Sequence, residues 1–131
     1  MREKPLILLV DDELSFLEII GTKLMTSGFE VVSAHDAKEA IDATGKIRPD
    51  LILMDISMPG ESGTDAALAI KQNPDTRQTR IAFLSNMKDP WPRTPLDPVT
   101  LSKNMGMEDF IDKSSDLNII VLRVKGILER H

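Results

Sequence analysis

Three runs in this chain, LILLV (Leu6–Val10), LILMD (Leu51–Asp55) and RIAFLS (Arg80–Ser85), are short, almost continuously apolar, and end on or against a polar residue. Runs of this length are too short for buried helices. A run that is apolar on both faces is a strand covered on both sides. Helical patterns separate them. Glu13–Thr26 places Leu14, Leu17, Ile20 and Leu24 at helical spacing, with Gly28 as the stop. Glu30–Ala34 reads as a further strand, and Ala37–Lys46 as a helix with Ala40, Ile41 and Ala43 or Thr44 inward. Ser62 or Gly63 opens a helix that runs to about Gln72 and ends before Pro74. DFID (Asp109–Asp112) is a short fifth strand. Ser114 or Ser115 caps a closing helix with Leu117, Ile120, Val121, Val124 and Leu128 on one face. Strands joined by helices predict an α/β fold with a parallel sheet, each crossover right-handed. The whole of 1–131 reads as one domain, a size that can bury a core.

The acids are placed where such a sheet binds ligands, at the carboxyl ends of its strands. Asp11 and Asp12 follow the first strand and Asp55 ends the third. Ser85 ends the fourth, and Lys113 follows the fifth. Carboxylates crowded together repel unless a cation compensates. Oxygen ligands without sulfur or imidazole suit Mg²⁺, or else Mn²⁺. Acids, a hydroxyl and an ammonium on one rim can hold a metal and a phosphoryl group together. Taken singly, Asp12 reads equally as a helix N-cap, Ser85 as a turn hydroxyl, Lys113 as a solvated lysine and Phe110 as core. Their conjunction carries the functional reading.

Composition removes other classes. The chain has no cysteine and two histidines, which excludes thiolate sites and disfavours a histidine-based zinc centre. A net charge of −5 argues against a nucleic-acid surface. No apolar stretch approaches membrane-spanning length and no signal-peptide cleavage site is apparent, so a cytoplasmic protein without membrane or nucleic-acid partners is expected.

The motifs LLVDDE, LILMDISMPGESG, FLS and DFIDKS, in this order, resemble those of bacterial two-component response regulator receiver domains, of the single-domain, chemotaxis-regulator-like kind. The resemblance implies a flavodoxin-like, doubly wound five-stranded sheet of order 2-1-3-4-5. It implies that Asp55 is the phosphoacceptor for a sensor histidine kinase's phosphohistidine or a phosphotransfer protein, and that the domain promotes only its own phosphorylation and dephosphorylation. It makes Asp12 a direct Mg²⁺ ligand, with Asp11 acting largely through water, Asp55 beside them and the Ser57 carbonyl as a further ligand. Ser85 and Lys113 would bind phosphoryl oxygens, and Phe110 would be the aromatic that swings inward when Ser85 moves. The output partner is open, and a weak homodimer is compatible with this reading.

The sequence also departs from the family's pattern. Ser114 stands where proline usually follows the lysine, Asn86 where a small residue usually follows the hydroxyl, and Ser57 and Met87 where the family tunes hydrolysis. Four of eight prolines fall between Pro90 and Pro98. An irregular Pro-rich segment, 89–98, is therefore expected in place of much of the fourth helix, with at most a short helix over about Val99–Met105. Trp91 reads either as a cover for the sheet edge or as an exposed anchor. The alternative function is a degenerate receiver acting as a phosphorylation-independent interaction module. A Mg²⁺-dependent phosphatase of another α/β family would want a D-x-D motif after the first strand, which DDE does not supply.

Overall fold

A computed structural model describes residues 4–56, 62–85 and 106–129. Five strands, β1 (Leu6–Val10), β2 (Glu30–Ala34), β3 (Leu51–Asp55), β4 (Arg80–Ser85) and β5 (Asp109–Asp112), form one parallel sheet of order β2-β1-β3-β4-β5. Among the described residues the helices are α1 (Leu14–Thr26), α2 (Ala37–Ile47), α3 (Gly63–Gln72) and α4 (Leu117–Glu129). This is the doubly wound, flavodoxin-like architecture. The expected Pro-rich loop 89–98, Trp91, Asn86, Met87, Ser57 and the short helix after Pro98 lie outside the described residues.

Alternation along each strand divides one apolar run between two cores. Leu8, Val10, Ile52, Met54, Ile81 and Phe83 face α2 and α3, where Ala37, Ala40, Ala66, Ala67 and Ile70 meet them. Ile7, Leu9, Leu51, Leu53, Ala82 and Leu84 face α1 and α4, which supply Leu17, Ile20, Leu24, Ile120, Val121, Val124 and Ile127. β1 and β3 are therefore buried throughout, whereas the edge strand β2 exposes Glu30, Val32 and Ser33. Leu14 departs from its expected inward place: it is 67% exposed. It is the first residue of α1, one turn before Leu17, where the helix has not yet reached the sheet. No described helix is long and apolar enough to cross a membrane.

Local chemistry fixes most helix ends. Asp36 caps α2 by accepting from Glu39 N at 2.8 Å. Ser62 caps α3 by accepting from Asp65 N at 3.2 Å. Gly28, at φ 103°, closes α1, with Phe29 N donating to Leu24 O at 3.1 Å. Neither Ser114 nor Ser115 caps α4. Asp116 takes that place, its Oδ1 accepting from Asn118 N at 2.8 Å. The serines are already engaged by the turn leaving β5. Asp112 Oδ1 accepts from Ser114 N at 2.9 Å and from Ser114 Oγ at 2.7 Å, and Asp112 O accepts from Ser115 N at 3.0 Å. These bonds to Ser114 hold the Asp112 carboxyl below the usual carboxylate range. The described residues contain no cis peptide, so the Lys113–Ser114 bond is trans.

Candidate functional site

The strand register brings the polar residues to one rim. The ladder between β1 and β2 runs one residue beyond the strands, through Asp11 N donating to Ala34 O at 3.1 Å. The β4–β5 ladder does the same, through Lys113 N donating to Ser85 O at 3.0 Å. Asp55 is the last residue of β3, level with Leu84, and Ser85 is level with Asp112. Asp11, Asp55 and Ser85 are buried, whereas Asp12 is exposed. Oxygens of Asp11, Asp12 and Asp55 lie within 4.8 Å of one another.

Asp12 is not a helix cap. The N-cap of α1 is Glu13, in extended backbone and without a side-chain capping bond. Asp11 turns Oδ1 onto Glu13 N at 2.9 Å, and its Oδ2 lies 2.7 Å from Lys113 Nζ. That second contact is an ion pair, and the buried Oδ2 has no other partner among the described residues. Burial raises the Asp11 carboxyl above its usual range, against the pull of Lys113 and of the Glu13 amide. Burial also works against the charge on Lys113, but Asp11, Glu13 and Asp55 together outweigh it and hold the ammonium above the usual lysine range.

Lys113 Nζ reaches Glu13 Oε1 at 2.7 Å and Asp55 Oδ2 at 3.9 Å, and sits 4.6 Å from the centre of the Phe16 ring. Glu13 and Phe16 escaped the sequence reading as site residues. The third acid of DDE, followed three residues later by an aromatic on the same helical face, was the available signal. Phe110 lies in the core that α2 and α3 cover, 7% exposed, level with Phe83.

Gly63 sets how closely α3 approaches the rim. Its N donates to Ile56 O at 3.0 Å. A Cβ there would overlap the Asp55 carbonyl oxygen and lie 2.9 Å from its carbon. Only glycine lets the helix start this near β3.

Whether the site suits a divalent cation is decided by its donors. Among the described residues four carboxylates, counting Glu13, face a single ammonium, and the buried Asp11 Oδ2 has no partner but that ammonium. The oxygens are hard donors, and Mg²⁺ and Mn²⁺ are hard ions that take them. The residues fit.

Comparison with known proteins agrees with this geometry. The chain is 33% identical over 124 residues to the transcriptional regulatory protein CpxR of Escherichia coli K12, a match covering 95% of this chain and 49% of that protein. It thus spans about half the length of the curated relatives it matches. A response regulator from Desulfuromonas acetoxidans superposes with a TM-score of 0.79 at 30% identity, over 95% of this chain and 96% of that one. The chemotaxis response regulator CheY4 of Vibrio cholerae shares the fold, at a TM-score of 0.82 and 23% identity over 95% of this chain and 98% of that one. Residues 7–125, which carry the five described strands save Leu6 and the rim just described, match the response regulator receiver domain, and the chain belongs to that family.

Proposed function

We propose that the rim accepts a phosphoryl group on Asp55 from a phosphohistidine, and that this modification switches a partner-binding surface. The observation that carries the reading is the placing of Asp55: buried at the end of β3, among carboxylates within 4.8 Å and with Lys113 Nζ 3.9 Å away. An Asp55 carboxylate oxygen attacks phosphorus, the P–N bond breaks, and the histidine nitrogen leaves with the electron pair and takes up a proton. The product is an acyl phosphate, which hydrolyses readily and so makes a timed signal. Lys113 would neutralise charge on the transferred group and Ser85 would donate to one of its oxygens. Asp11, Asp12 and Asp55 would hold Mg²⁺ with the Ser57 carbonyl. When bound, the ion offsets repulsion between the aspartate and the incoming phosphoryl oxygens. Phe110, opposite Phe83 and so two residues short of the level of Ser85, is the candidate for passing the change to the surface. A cytoplasmic setting and a sensor kinase or phosphotransfer protein as donor follow from the same reading.

Acetyl phosphate with Mg²⁺ should add one phosphoryl group to the intact mass of the native protein and none to Asp55→Asn. Equal labelling of both would remove Asp55 from this role. Absence of label on the native chain would leave the phosphorylation-independent module as the better account. The metal assignment is tested separately. Asp12→Ala should lose most Mg²⁺ affinity in calorimetric titration without phosphodonor, and an unchanged affinity would remove Asp12 from the ligand set.

A further inference from the structure

We propose that Glu13 is a positioning residue that parks Lys113 away from Asp55, and that Glu13 must release the ammonium before it can hold a phosphoryl oxygen. The inference rests on the phosphoacceptor reading of Asp55. Lys113 Nζ is 2.7 Å from Glu13 Oε1 and 2.7 Å from Asp11 Oδ2, but 3.9 Å from Asp55 Oδ2. The ammonium is thus drawn to the β1–α1 side of the rim, over the Phe16 ring.

Glu13 holds the N-cap position of α1 but makes no capping bond there, and its carboxylate crosses to β5 instead. Its side chain is 61% exposed, against 0% for Asp11. The two acids therefore differ in kind. Asp11 is fixed by the Glu13 amide and by burial, whereas Glu13 can exchange Lys113 for water at small cost. A phosphoryl group on Asp55 brings negative charge within reach of Lys113, and the Glu13 carboxylate then competes for the ammonium and repels the incoming group. Glu13 slows loading in proportion to its hold on Lys113. Because its carboxylate is exposed, salt weakens that hold.

The test compares native protein with Glu13→Gln in acetyl phosphate labelling with Mg²⁺ at low and high ionic strength. Glu13→Gln should label about threefold faster at low salt, with the ratio falling toward one at high salt, the range expected of an ion pair whose carboxylate is exposed. A merely structural role would give a ratio independent of salt. Without metal or phosphodonor, the Lys113 ammonium protons should exchange with solvent more slowly in the native protein than in Glu13→Gln, read by nitrogen-15 NMR. Native protein that labels on Asp55 at the same rate as Glu13→Gln, or ammonium exchange that does not change, overturns the parking role alone. Native protein that does not label at all overturns the phosphoacceptor reading and this inference with it.

Discussion

Gly63→Ala should destabilise the protein by about 3–5 kcal/mol, read as a lowered urea midpoint at unchanged slope, because an overlap with backbone cannot be relieved by rotating a side chain. The added methyl would overlap the Asp55 carbonyl oxygen and sit 3.0 Å from Ile56 Cα. Relief requires α3 to retreat from β3, which breaks the 3.0 Å bond from Gly63 N to Ile56 O. Asp55 lies at the point that moves, so labelling by a phosphodonor should fall together with stability. Gly45→Ala is the control. Gly45 lies within α2, with nothing within 4 Å of a Cβ, and alanine favours helix there. Equal stability of Gly63→Ala and the native protein would mean that α3 is not held against the rim as described.

Lys113→Met should cost about 3 kcal/mol in metal-free protein. Removing one partner of a buried pair leaves the other charge uncompensated. Here the abandoned group is Asp11, fully buried and with no partner for Oδ2 among the described residues but the Lys113 ammonium. Asp55, 3.9 Å from the ammonium, loses part of its compensation as well. Millimolar Mg²⁺ should restore more stability to Lys113→Met than it adds to the native protein, since a bound cation replaces the missing charge and stabilises by mass action. Calorimetric melting with and without Mg²⁺ measures both effects. An undiminished melting temperature in the metal-free variant would mean that Asp11 does not depend on Lys113.

The three central strands were legible to the residue because burial on both faces leaves a run with almost no polar interruption, and a polar residue then marks where the sheet meets its rim, whereas the edge strands β2 and β5 were found by their place between helical patterns. Asp11, Asp12 and Asp55 could be placed together for the same reason: in a parallel sheet, the end of every strand is the same edge. What the sequence did not disclose depended on side-chain reach and not on register. Leu14 sits at a helical spacing that points inward, yet the first turn of α1 overhangs the sheet. Ser114 and Ser115 are good caps by type, but Asp112 engages both before the helix begins, leaving Asp116 to cap it. Glu13 looked like one more acid of a charged run. Only the crossing of Lys113 from β5 to α1, 100 residues apart in sequence, gives it a place in the site. Gly63 could be read as a helix opener, but nothing in the sequence said that it would lie against the backbone of Asp55 itself.

The central claim is that Asp55 is the residue that carries the phosphoryl group. Its most direct test is to treat the native protein with acetyl phosphate and Mg²⁺, reduce the acyl phosphate with borohydride, and locate the altered residue by peptide mass spectrometry. Asp55 alone should be converted, and the conversion should disappear when the phosphodonor is omitted. Conversion at Asp11 or Asp12, or a stable phosphate on Ser85 or His35 with Asp55 intact, would contradict it.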